Sequence, residues 1–152
     1  TLIEKLQADL GDKVGMEQVF SANLYFCRTP GMNMLYQLSK LACEELDCWS
    51  IHKDFLLQVA PEVIITIGNA DGFSSFGYLS KSLCADLKMF ATGQSWNKRV
   101  RIKYGHLDKP FWGRPRAILI GLPHLSRFWC GENRVMQIVS EMSNRIKSLG
   151  SG

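Results

Sequence analysis

The sequence predicts a layered α/β domain with a mainly parallel central sheet, because apolar runs of strand length alternate with stretches of helical periodicity. Two segments, "EVIITIGN" (62–69) and "AILIGL" (117–122), are apolar without alternation, the pattern of strands buried on both faces. Between and around them apolar residues recur every three or four positions, as on one face of a helix. A chain of 152 residues is the size of one domain, so residues 1–152 are expected to share a single core.

Each element follows from its residues. "LIEKLQADLG" places Leu2, Ile3, Leu6 and Leu10 on one helical face and stops at Gly11. "EQVFSANLYF" is β-branched and aromatic and predicts a strand that ends between Asn23 and Cys27. "MLYQLSKLACEEL" and "IHKDFLLQVA" have helical spacing, and Pro61 halts the second. "EVIITIGN" is a buried strand that breaks at Gly68. Residues 75–90 predict a helix, and "RVRIKYG" (99–105) alternates basic with apolar, as a strand with one wet side does. "AILIGL" is the next buried strand. A last helix is expected over residues 133–149, with Val135, Ile138, Val139, Met142 and Ile146 inward.

Composition bounds the function. Apolar residues make up 46% and charged residues 21%, the balance of a globular domain and not of a disordered or fibrous chain. The longest apolar runs fall far short of the roughly 20 residues that cross a bilayer, and the first residues lack a basic-then-apolar leader. No membrane partner is expected, and the predicted compartment is the cytoplasm, or the nucleus in a eukaryote. Five cysteines, an odd number, favour free thiols over a disulfide framework. The net charge of +4 is unevenly spread. From Lys98 to Arg127 eight basic side chains face one carboxylate, Asp108, and the same stretch carries Tyr104, Phe111 and Trp112. Cations interleaved with flat rings neutralise phosphates and stack on bases, so a nucleic-acid partner is expected, with a solvated strand face as the simpler alternative.

In open parallel sheets ligands bind beyond the carboxyl ends of the strands. Three such ends carry chemistry here: "NLYFCRTPG", "GNADGFSSFG" and "GLPHLSRF". The order "VFSANLYFCRTPG" (19–31), "CWSIHKDFLLQVAPEVIITIGNA" (48–70) and "GLPHLSRF" (121–128) resembles the uracil-DNA glycosylase superfamily, most nearly its iron–sulfur branch, over residues 18–149. The motifs are short. The resemblance implies a three-layer α/β/α sandwich that binds DNA, takes up a flipped pyrimidine and hydrolyses the N-glycosidic bond of uracil in base excision repair.

Carried over residue by residue, the resemblance makes Asn23 the base reader. One amide can donate to uracil O4 and accept from N3–H, whereas cytosine presents the opposite pattern. By its residue type alone Asn23 is equally suited to closing a strand through a bond to its own loop. His124 takes the place of the ring that stabilises charge on the departing base, although a histidine after a strand is commonly only a polar loop residue. Ser126 would grip a phosphate, and Leu125, Arg127 or Phe128 would fill the gap left by the flipped nucleotide. Arg101 and Arg114 are the expected contacts to the DNA backbone.

Three departures qualify the resemblance. Leu125 replaces the proline of the His-Pro-Ser motif. The family's first motif, a Gly-rich loop whose side chain positions the attacking water, has no counterpart in "TLIEKLQADLGDKVGME". Either the chain lacks the family's first strand or it has no hydrolytic machinery, and then it is a nucleic-acid- or protein-binding relative. A missing strand would leave an unpaired sheet edge for a protein partner or a second copy. Finally, an iron–sulfur cluster needs four thiolates. Cys27 and Cys43, with Cys48 competing for the second place, supply one pair at most, so no cofactor and no metal are expected. Other templates fail: "GNADGFSSFG" is not a phosphate loop, Gly-x-Ser-x-Gly is absent, and His52, His106 and His124 are too scattered for zinc. A small-molecule-binding or hydrolytic α/β domain of another kind is the third reading.

Overall fold

A computed structural model describes residues 2–10, 22, 48–69, 74–86, 88–97, 100–123 and 132–147. The chain divides into two compact units, Thr1–Val19 with Pro61–Gly152, and Phe20–Ala60. In the smaller unit the described element is helix α2, Cys48–Val59; α1 precedes it in the larger unit. Helix α2 ends as its residues require: Ala60 adopts φ 46 and its N–H donates to Leu56 O at 2.8 Å, a left-handed cap just before Pro61. The predicted strand over 17–26 and the helix over 34–46 lie outside the described residues.

The larger unit holds helix α1 (Leu2–Leu10), strand β1 (Val63–Ile67), helix α3 (Ser75–Asp86), strands β2 (Lys88–Asn97), β3 (Val100–Asp108) and β4 (Arg116–Leu122), and helix α4 (Glu132–Lys147). The strands form one sheet in the order β1-β4-β3-β2. Strands β1 and β4 run parallel, from Val63↔Ile118 to Ile67↔Leu122, while β4–β3 and β3–β2 are antiparallel. The described sheet is therefore mixed, which corrects the expectation of a mainly parallel one. The predicted helix over 75–90 ends at Asp86, and an unpredicted strand, β2, follows. Only two residues separate β2 from β3, and so short a connection can join only antiparallel neighbours.

Helices cover both faces of this sheet. On one, Ile118, Ile120 and Leu122 of β4 and Ile102 of β3 meet Leu6 and Leu10 of α1 and Ile138, Val139 and Met142 of α4. This is the three-to-four spacing of the two helices put to use, and each such side chain buried contributes about 1.5–3 kcal/mol. On the other face α3 lies so close that a Cβ at Gly121 would stand 2.5 Å from Phe76 Cδ2. Strand β4 is accordingly buried from Ala117 through Leu122, as its sequence predicts.

Two burial expectations change. In β1, predicted to be buried on both faces, Ile65 and Ile67 are 40% and 51% exposed, while Thr66 is buried and its Oγ1 donates to Ile120 O at 3.2 Å. In β3 the wet side is brief: Lys103 is half-buried, but Gly105 and Leu107, which follow it at alternate positions, are buried. Among the described residues no helix is long and apolar enough to cross a membrane.

Gly121→Ala should destabilise the protein by about 1–3 kcal/mol, because the added methyl has no room beside the Phe76 ring. In urea unfolding, Phe76→Ala should suppress much of that loss, giving a double-mutant coupling of about 1 kcal/mol or more. Strict additivity would show that the two do not share one space.

Candidate functional site

The parallel register brings two of the three chemistry-bearing strand ends together. Ile67 pairs with Leu122, so Gly68 and Pro123 leave the sheet side by side. Gly68 adopts φ +106, a left-handed turn that only glycine enters without strain, and its N–H donates to Leu122 O at 2.7 Å. Its carbonyl accepts from Phe76 N at 3.1 Å, tying the turn to the start of α3. Ser74 caps that helix, its Oγ accepting from Gly77 N at 3.0 Å. Asn69 completes the end: its Nδ2 donates to Gly121 O at 3.2 Å.

The antiparallel strands add to the same end. Lys103 pairs with Gly121, so Arg101, two residues earlier on β3, is level with Pro123. On β2 it is paired with Trp96, and the hairpin closes beyond Asn97↔Val100. The residues between that last pair are Lys98 and Arg99 by sequence. One end of the sheet thus gathers a glycine turn, the amino end of α3, whose peptide dipoles favour anions, and a strand-borne arginine.

Arg114 does not join them. It precedes β4 at the opposite end of the sheet, roughly 20 Å away at about 3.3 Å per strand residue. There its Nη1 holds Glu62 Oε1 at 2.6 Å, with both side chains well exposed. Phe111 and Trp112, packed edge to face with centroids 4.9 Å apart, lie in the β3–β4 connection at that same end. The structure therefore separates Arg101 from Arg114, which the sequence grouped in one basic stretch.

Asn23, His124, Leu125, Ser126, Arg127 and Phe128 lie outside the described residues, as do Cys27 and Cys43. Cys48 is a buried free thiol in α2. Among the described residues no three potential metal ligands come together. Asn69 was missed by sequence reasoning; its signal is an Asn directly after the glycine that ends a buried-type strand.

A second polar group lies elsewhere, on the face covered by α1 and α4. His106 meets Tyr104 edge to face at 5.8 Å between centroids, and the Arg145 guanidinium sits 4.2 Å over the Tyr104 ring. Glu141 holds Arg145 in place through bonds of 2.7 and 2.9 Å. Burial, then the positive charges of Arg145 and Arg116, push the His106 imidazole below its ordinary pKa of 6.5.

No family model, curated protein or solved structure matches this chain.

The lowered His106 value has a definite consequence for stability. On acidification the unfolded chain takes up the proton first, so stability falls as pH drops below 6.5 and levels off once the folded imidazole also protonates. Thermal midpoints at about pH 7.5 and about pH 5.5 should differ less in His106→Gln than in wild type. An unchanged difference would show that His106 does not carry this acid sensitivity.

Proposed function

We propose that this chain is a DNA-binding domain of the uracil-DNA-glycosylase kind, a three-layer α/β/α sandwich that receives a flipped pyrimidine beyond the carboxyl ends of β1 and β4. One observation carries the reading. The parallel pairing of Ile67 with Leu122 sets the glycine turn at Gly68 beside the point where the chain runs into "PHLSRF", and ligands of such sheets bind beyond the carboxyl ends of parallel strands. Helices on both faces and the alternation of strands and helices support the same architecture.

In this reading Asn23 pairs with the pyrimidine edge, and His124 donates a hydrogen bond to uracil O2 as the C1′–N1 bond lengthens and negative charge moves onto the base. Ser126 and Arg127 hold the strand, Leu125 or Phe128 fills the vacated stack, and Arg101 neutralises a phosphate near the same sheet end. Hydrolysis would place the oxygen of water on C1′ and needs no redox cofactor. A second reading is a catalytically inactive relative that binds nucleic acid or protein without excision.

End-labelled single- and double-stranded oligonucleotides carrying one uracil separate these readings, with alkali cleavage and binding at two salt concentrations measured together. In the active case His124→Ala lowers excision by roughly 10²–10³-fold, and Asn23→Ala likewise hurts excision more than binding. Binding that survives without cleavage leaves the recognition module. Absence of both would overturn the DNA reading.

The two arginines give a sharper test of the geometry. Arg101→Ala should weaken binding and reduce the slope of log K against log salt by about 0.9, the share of one phosphate contact. Arg114→Ala should stay close to wild type, since its charge is at the far end and paired with Glu62. Equal losses from the two would count against the assigned end of the sheet.

A further inference from the structure

The register between β1 and β4 ends at Ile67↔Leu122, with one further backbone bond from Gly68 N to Leu122 O, and two side chains also bond the last carbonyls of β4. Past that pair Gly68 turns the chain out of the strand, yet Asn69 reaches back, its Nδ2 donating to Gly121 O at 3.2 Å. Inside the ladder Thr66 Oγ1 donates to Ile120 O at the same distance, so consecutive carbonyls of β4 accept from side chains of β1 and its turn. Gly121 is held from another direction as well, because the Phe76 ring occupies the space where its Cβ would be. Phe76 N in turn donates to Gly68 O, and Gly68 N to Leu122 O. The last residues of β4 are thus enclosed by a ring of contacts, to which Asn69 adds a side-chain amide from outside the strands.

We infer that Asn69 is a positioning residue: its amide clamps β4 at Gly121, fixing the direction in which the chain leaves the sheet at Pro123 and enters the segment that begins with His124. The functional consequence rests on the reading above; the clamp itself does not. Strand ends fray unless something ties their carbonyls. A neutral amide does so without adding a charge, and a shorter side chain cannot reach. Asn69→Ala leaves the Gly121 carbonyl without this donor. Asn69→Ser keeps a residue that suits turns but falls short of the carbonyl, and Asn69→Gln keeps the amide on a longer arm.

Hydrogen exchange on the full chain tests the clamp without reference to any activity. In Asn69→Ala, peptides covering residues 117–128 should exchange about 2- to 10-fold faster, the loss expected for one hydrogen bond, while α4 and β3 stay at wild-type rates. Asn69→Ser should behave alike and serves if the alanine variant folds poorly; Asn69→Gln should return part of the protection. Faster exchange spread evenly over α4 and β3, or no change near β4, overturns the inference, because a general loss of stability or an idle bond would give those results.

The uracil oligonucleotide assay, run on the same proteins, separates this inference from the functional reading. Local exchange that rises in a wild-type background showing no preference for uracil upholds the clamp and removes the glycosylase reading. A wild-type preference for uracil, with Asn69→Ala leaving both it and exchange unchanged, removes the clamp and keeps the reading. If both are correct, Asn69→Ala lowers the preference for uracil while the salt slope of binding is unaltered, since no phosphate contact has been lost.

Discussion

At Gly121 the ring of Phe76 lies where the Cβ of any other residue would be, 2.5 Å from that point at its nearest atom. The close approach lets α3 sit directly on β4, and the residue that follows β1 is tied to both: Gly68 takes a left-handed conformation, gives its N–H to Leu122 O and accepts from Phe76 N. One absent side chain therefore sets the distance between helix and strand, and that distance sets the geometry of the two strand ends. Cores packed at the density of crystals do not absorb an extra methyl by spreading the mismatch.

The basic stretch from Lys98 to Arg127 is continuous in sequence and divided in space. Strands β3 and β4 are antiparallel, so the chain travels away from one end of the sheet along β3 and returns along β4. Arg101 stands at the start of that excursion and Arg114 at its turn. Their charges do not add at one place. At the far end the field of Arg114 is largely cancelled by Glu62 at 2.6 Å, whereas Arg101 lies at the end that also carries the Gly68 turn and the start of α3.

Much of the fold was legible because periodicity reports burial. Helices α1 and α4 and strand β4 follow their apolar patterns, and Leu6, Leu10, Ile138, Val139 and Met142 face inward as their spacing requires. Strand β2 escaped notice because "KMFATGQSWN" has a single β-branched residue, Thr92, and follows the helix with almost no break. The direction of the strands was not legible either: "AILIGL" reads as a parallel strand because it is apolar throughout, but that burial comes from helices on both faces, whatever the neighbours' direction. Composition also does not separate a central strand from a more open one, which is why Ile65 and Ile67 resemble core residues and are not. Of the candidate site, Arg101 and Arg114 could be told apart only by register. Asn69 became visible only once its acceptor, 52 positions away in sequence, was known.

The hairpin also changes what this end of the sheet can offer a ligand. In an all-parallel sheet the carboxyl end collects strand termini only, and every polar group there is borne on a loop. Here β3 begins at that end, so Arg101 is borne on a strand, paired there with Trp96 of β2. Groups on such elements are placed more closely than groups on loops. The arginine position on β3, the left-handed glycine at the end of β1 and the capped start of α3 together make this the more electropositive end of the described sheet. The opposite end, with Arg114 paired to Glu62, lacks that bias, so the two ends of the sheet differ in charge as well as in the direction of the strands they collect.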